Sequence, residues 1–247
     1  MQQIQHFFVE ADLSGRTVEI SDDNLLHQIR NVLRFRIGTE CVLLDGKGTK
    51  ASAKLVELNK KFAQFEVLER EICEKTGGGG TNGKIVRLFC ALPKKPATFE
   101  LIVQKATELG VSQIVPLDTA RCQVHSLYKT DRLKFIIKEA AEQCERIDLP
   151  VLCPLMPFKD FIARPPTGLI LAGDPWDFDK PLREVVKETS KTAGAKEINL
   201  IIGPEGGLTT EEIVAIRKAG GTIFLLGKNV LRMETAAVAA ISVVLFA

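Results

Sequence analysis

The sequence predicts an α/β fold joined to a small additional β domain, and three features carry that expectation. From Lys84 onward, apolar runs of strand length alternate with helical patterns. That is the texture of a mainly parallel sheet covered by helices on both faces. Residues 1–72 instead hold short alternating strands, with turn signals at Asp45-Gly46-Lys47-Gly48 and Asn59-Lys60. Such spacing suits a small barrel better than βαβ units. Between the two lies Gly77-Gly78-Gly79-Gly80 with Thr and Asn beside it, a run with nothing to bury. We therefore expect a β domain over 1–72, a linker over 73–83 and an α/β domain over 84–247.

In chain order, strands are expected at 16–20, 41–44, 51–57 and 62–68. A helix follows the start signal Ser21-Asp22-Asp23-Asn24, with Leu25, Leu26, Ile29, Val32 and Leu33 as its buried stripe. His27, Arg30 and Arg34 fall partly off that stripe, so the helix reads either as a half-exposed face with basic decoration or as a phosphate-contacting edge reinforced by Arg36. Past the glycines, strands are expected at 85–92, 113–117, 168–172, 197–202 and 222–226, with an extended piece at 150–154. Helices are expected at 97–109, 129–146, 180–189, 209–219 and 234–246. The first of these carries Leu101, Ile102, Lys105 and Leu109 near one face and closes on Gly110.

Composition narrows the function classes. Apolar residues make up 45% and charged residues 26% of the 247, as in an ordinary globular protein. The net charge of +2 gives no bulk attraction for nucleic acid. Residues 84–150 hold 11 basic and 8 acidic side chains, an excess that an ordinary solvated face also shows. The six cysteines form no C-x-x-C pair and have no histidine at zinc spacing, so no metal is expected. The start lacks the features of a signal peptide, and no apolar run approaches the ~18 residues of a membrane span. The expected setting is a reduced cytoplasm.

Chemistry concentrates in two strand ends. Gly203-Pro204-Glu205-Gly206-Gly207-Leu208 leaves one apolar run, and Gly227-Lys228-Asn229-Val230-Leu231-Arg232-Met233-Glu234 leaves another that ends on Leu226. Ligands of open α/β sheets bind beyond such carboxyl ends. Glycines let backbone approach a ligand closely, and Thr209 or Thr210 can cap the helix that follows. Glu205, Glu211 and Glu212 discourage an anion there, and no G-x-G-x-x-G is present, so a pyrophosphate cofactor is disfavoured. Arg232 and Glu234 pair an orienting cation with a proton acceptor, or else simply pin their loop to each other.

Five stretches in order resemble a known family. They are His27-Gln28-Ile29-Arg30-Asn31-Val32-Leu33-Arg34, Gln104-Lys105-Ala106-Thr107-Glu108-Leu109-Gly110-Val111, Glu139-Ala140-Ala141-Glu142-Gln143-Cys144-Glu145-Arg146, and the two loops above taken as Ile202–Leu208 and Leu226–Ala236. Together they resemble the SPOUT superfamily of RNA methyltransferases, specifically the bacterial 16S ribosomal RNA uridine-N3 methyltransferase family, over essentially the whole chain. The resemblance implies an N-terminal PUA-like β-barrel for RNA and a C-terminal α/β domain with a trefoil knot. It implies S-adenosylmethionine as methyl donor, 16S rRNA of the small ribosomal subunit as substrate, and a homodimer.

Carried over, Gly203, Pro204, Glu205, Gly206, Leu226, Gly227 and Leu231 would bind the cofactor. Arg146, Arg232 and Glu234 would face the target base, and His27, Arg30 and Arg34 would bind RNA. The chain departs from the family at Asn229, where the family has Arg. Alternative readings are a SPOUT methyltransferase with another target nucleotide, or an rRNA-binding assembly factor without catalysis.

Overall fold

The computed structural model describes residues 4–72, 83–127, 129–191 and 196–246. The expected linker over 73–83 lies, apart from Gly83, outside the described residues. Contacts divide the chain into two units: residues up to 72 with 141–148, and residues 83–140 with 149–246.

The first unit is a five-stranded sheet of order β1-β3-β4-β5-β2, made of β1 (Gln5–Phe8), β2 (Thr17–Ile20), β3 (Glu40–Leu44), β4 (Thr49–Leu58) and β5 (Ala63–Ile72). Only β1 and β3 pair in parallel. Two register shifts between the long strands β4 and β5 increase the local twist, and Phe7, Leu43, Leu55 and Phe65 fill the interior. Helix α1 (Asp23–His27) is capped by Asp22, whose side chain accepts from Leu25 N–H.

Past α1 the helix widens into a π-turn over Gln28–Val32, with Leu33 N–H bonded to Gln28 O. This corrects the expected stripe. Leu25, Leu26 and Ile29 are buried, but the π-turn rotates Val32 outward, where it is 64% exposed. The turn 141–148 joins this unit through Glu142, which accepts from Phe8 N–H at 2.8 Å, and through a bridge between Lys47 and Asp148.

The second unit is an all-parallel sheet among the described residues, of order β11-β13-β10-β12-β6-β7-β8, with β9 also on β7. Its strands are β6 (Ile85–Ala91), β7 (Gln113–Asp118), β8 (Val151–Leu152), β9 (Met156–Pro157), β10 (Leu169–Gly173), β11 (Lys180–Pro181), β12 (Glu197–Ile202) and β13 (Thr222–Leu225). Alternate strand residues point to opposite faces, so two cores form. Val86, Leu88, Leu200 and Ile202 pack under α2 (Pro96–Leu109), α3 (Thr130–Gln143), α5 (Leu182–Lys191) and α7 (Met233–Phe246). Phe89, Val115, Ile201 and Ile223 pack under α4 (Phe158–Ala163) and α6 (Thr210–Lys218).

Helix α2 starts on Pro96 and stops at Gly110, whose φ of 96° places it in the left-handed region that glycine tolerates. Its buried face is Phe99, Ile102, Val103 and Ala106, whereas Leu101 is 41% exposed. The expected face was rotated because α7 packs against this helix and selects its inner side. The small residues early in α7 serve that packing, with Ala237 and Ala240 fully buried.

Candidate functional site

Sheet order makes β13, β10 and β12 neighbours, so three strand ends converge. The loops that leave them line one open cleft, with about 700 Å³ of empty space including its mouth. Gly203, Pro204, Glu205 and Gly207 form one wall. Leu226, Gly227, Asn229, Val230 and Leu231 form a second, continued by Met233 and Ala236 of α7. The third wall is Gly173, Asp174, Pro175 and Trp176. Ile202 and Phe224 are lining residues from the strands themselves.

The loop after β12 is tightly bonded. Gly207 N–H donates to Pro204 O at 2.8 Å, and Gly207 takes a φ of 72° that glycine accepts without strain. Arg121 Nη1 donates to Gly206 O at 2.7 Å and to Leu208 O at 3.1 Å. Glu205 Oε1 accepts from Lys94 N–H at 3.1 Å. Thr209 caps α6 in a complete capping box with Glu212. The buried Glu212 carboxylate accepts from Thr209 N–H and also from Ala120 N–H, both at 2.8 Å.

The loop after β10 is held differently. Asp174 is only 5% exposed, and its Oδ1 accepts from the N–H groups of Trp176 and Asp177, both at 2.9 Å. Further along, Arg217 clamps Asp177 and Asp179, with Nη2 at 2.8 Å from Oδ1 of Asp177 and Nε at 3.0 Å from Oδ1 of Asp179. The guanidinium holds the Asp177 carboxyl below the usual carboxylate range, and the two carboxylates raise Arg217.

Among the lining residues only Asp174 and Glu205 are ionisable, and both are acids. The cleft therefore offers no cation to a phosphate and suits a ligand with a positive centre and a flat apolar part. Among the described residues no group of His, Cys, Asp or Glu side chains could hold a metal ion.

A family model described as an RNA methyltransferase domain matches residues 82–245, and one described as an RNA methyltransferase PUA domain matches residues 21–68. The chain belongs to this RNA methyltransferase family. The ribosomal RNA small subunit methyltransferase E of Rickettsia conorii is 28% identical over 91% of this chain and 88% of that protein. Its namesake from Synechocystis is 34% identical over 88% of this chain and 69% of that protein. The crystal structure of a ribosomal RNA small subunit methyltransferase E from Neisseria gonorrhoeae bound to S-adenosyl methionine superimposes with a TM-score of 0.81 at 29% identity. That match covers 97% of this chain and 96% of the other.

Within this methyltransferase fold, Gly203, Pro204, Glu205, Leu226, Gly227 and Leu231 come together as lining residues. Gly206 does not line the cleft; its carbonyl is taken by Arg121. Arg232 and Glu234 lie beside lining residues without lining it themselves. No ion pair joins them among the described residues, so they do not pin the loop to each other.

Arg146 belongs to the first unit, is 8% exposed, and bonds through Nε to Asp148 O at 3.0 Å and Oδ1 at 3.2 Å. In the same unit His27 and Arg34 are exposed around the π-turn, while Arg30 is half-buried and donates to Asn59 O. The sequence reading missed the wall from Gly173 to Trp176. Its signal was an apolar run breaking into Gly173-Asp174-Pro175, the same glycine-and-proline ending as at Gly203-Pro204.

Proposed function

We propose that this chain binds S-adenosylmethionine in the cleft beyond β10, β12 and β13 and methylates N3 of a uridine in the 16S rRNA of the small ribosomal subunit. The charge of the lining carries the cofactor half of this reading: two carboxylates, Asp174 and Glu205, and no basic side chain. Bound there, S-adenosylmethionine supplies a methyl group activated on a sulfonium cation, and it has no phosphate for those carboxylates to repel. The fit extends to the walls. A Cβ added at Gly227 would meet nothing within 4 Å, so the bare backbone leaves room for a ligand, and Phe224, Leu226 and Leu231 offer apolar surface to an adenosine.

The small-subunit rRNA target is supported by the names of the relatives, and uridine N3 by the ordered motifs. Uracil N3 carries a proton at neutral pH, so the site needs a group to take it. We assign that role to Glu205 or Glu234. Arg232 is assigned to the negative charge that builds on the uracil oxygens, ahead of Arg146, whose Nε is already bonded to Asp148. Holding the base against the methyl donor supplies much of the rate. His27, Arg30 and Arg34 are assigned to the RNA backbone.

The reading carries with it a homodimer, a cytoplasmic setting where ribosomes are made, and the knotted threading of the family. Strand β12, late in the chain, sits between β10 and β6 in the sheet. Among the described residues no helix is long and apolar enough to cross a membrane.

Mass mapping of 16S rRNA nucleosides from cells with and without the protein tests the target: one N3-methyluridine should vanish. Calorimetric titration with S-adenosylmethionine tests the cofactor. No binding at millimolar concentration would leave an RNA-binding assembly factor instead. Arg232→Ala and Glu234→Gln should bind cofactor yet lose methyl transfer; full activity in both would remove their assigned roles.

A further inference from the structure

We propose that Trp176, with Arg121 beside it, is a platform on which a base of the RNA substrate stacks at the mouth of the cleft, setting affinity for RNA rather than for the cofactor. This rests on the functional reading above and goes beyond it, because neither residue belongs to the family motifs in the sequence.

Exposure is the first observation. Trp176 lines the cleft yet stands 70% exposed. Indole is the largest apolar side chain and is normally well buried, so an open ring beside a cleft marks a surface that a ligand covers.

Rigidity is the second. The ring does not dangle from a loose loop. Asp174 holds the N–H groups of Trp176 and Asp177 with one buried oxygen. Asp174 N–H itself donates to Phe224 O at 3.1 Å, and Asp179 N–H donates to Ile223 O at 2.9 Å. Asp179 Oδ2 accepts from Ile223 N–H at 2.8 Å, and Arg217 clamps the far side of the loop. The backbone that carries the indole is thus fixed, so a ligand stacking there pays little to order the loop.

Neighbourhood is the third. A Cβ built on Gly207 would lie 3.7 Å from Cζ3 of Trp176 and 3.8 Å from Nη1 of Arg121. The indole and the guanidinium therefore flank a strip of bare backbone. Arg121 spends Nη1 on Gly206 O and Leu208 O, which fixes the group; Nη2 and Nε make no hydrogen bond among the described residues, and Glu211 lies within electrostatic reach. An aromatic face with a fixed cation next to it is what a nucleobase and its phosphate or carbonyl oxygen require. Stacking is tolerant of base identity, so this platform adds affinity and leaves the choice of nucleotide to the rest of the site.

The chain contains one tryptophan, so its emission reports this position directly. The full-length protein is titrated with S-adenosylmethionine alone and with a single-stranded oligouridylate of about ten nucleotides. We expect the RNA to quench the emission and the cofactor alone to leave it nearly unchanged. With unmethylated small ribosomal subunits as substrate, Trp176→Ala should raise KM about tenfold, the size of a lost aromatic–base stack. Because Trp176 also lines the cleft, the variant's Kd for S-adenosylmethionine should rise by clearly less than KM does, and Trp176→Phe should recover most of the loss. Arg121→Gln should raise KM in the same direction.

Quenching by cofactor alone, together with cofactor binding weakened in Trp176→Ala as much as KM rises, overturns the platform in favour of an adenine contact. Emission that shifts with protein concentration alone overturns it in favour of burial by a second copy. An unchanged KM in Trp176→Ala overturns it outright. If the wild-type protein transfers no methyl group, the functional reading fails, and the oligouridylate titration still decides the platform: quenching supports it and no quenching ends it.

Discussion

The loop after β12 and the loop after β13 face each other across one cleft, yet they are built in opposite ways. Gly203–Leu208 is bonded to its surroundings through Arg121, Lys94 N–H and the Thr209–Glu212 cap. In the loop after β13, Lys228, Asn229 and Arg232 have no side-chain hydrogen bond among the described residues, and Val230 and Leu231 are exposed. The first loop is complete before any ligand arrives. The second presents solvated groups that no protein contact among the described residues ties down. A site of this kind separates the element that sets shape from the element that reports occupancy, so mutations in the two should show different signatures.

The largest effect belongs to the bonded side. Glu212→Ala would strip a buried acceptor from the N–H groups of Thr209 and Ala120. It should cost about 2–4 kcal/mol and lower Tm by roughly 5–10 °C in a thermal melt. Gly227→Ala reverses the signature. The added methyl meets nothing in the protein, so the melt should be unchanged, while calorimetry should show S-adenosylmethionine affinity reduced about tenfold, or about 1.4 kcal/mol.

Gly207→Ala returns to the bonded loop at smaller scale. Its φ of 72° is strained for any side chain, so the variant should lose about 1 kcal/mol in denaturant unfolding. The loop after β10 offers a pH probe. The hydrogen bond from Arg217 holds the Asp177 carboxyl below the usual carboxylate range. The clamp is therefore intact above about pH 4 and is lost as pH falls through the lower folded value. Trp176 emission should hold steady down to that point and change only below it. Smallest of all, Asn229→Ala should alter stability by less than about 0.5 kcal/mol, since a side chain without partners has little to lose.

Much of this was legible in the chain, for reasons that differ by residue. Gly203-Pro204 and the run ending on Leu226 could be read because a strand that breaks on glycine leaves a local mark. A threonine cap at 209 or 210 could be read because a capping residue sits beside its helix, whereas the choice of Thr209 and its box with Glu212 came from the structure. The buried face of α2 could not, because periodicity places Leu101 near the stripe while packing on α7 turns it outward. Val32 fitted a helical stripe until the π-turn changed the register. The Asp174–Trp176 wall carried a similar strand-end mark, but nothing local says that β10 lies between β12 and β13.

By itself the sequence determined the kinds of element, the divide between a β unit and an α/β unit, the family, and two of the three loops of the site. These follow from patterns within a few residues of one another or from motifs in fixed order. The tertiary structure alone decided that β13, β10 and β12 are neighbours, and with that which loops share a cleft. It also decided that Glu212 and Asp174 are both buried on backbone N–H groups, Asp174 beside the cleft, and that Arg146 is tied to Asp148. Sheet order and the partners of a charged side chain depend on residues far apart in the chain, where local chemistry has no reach.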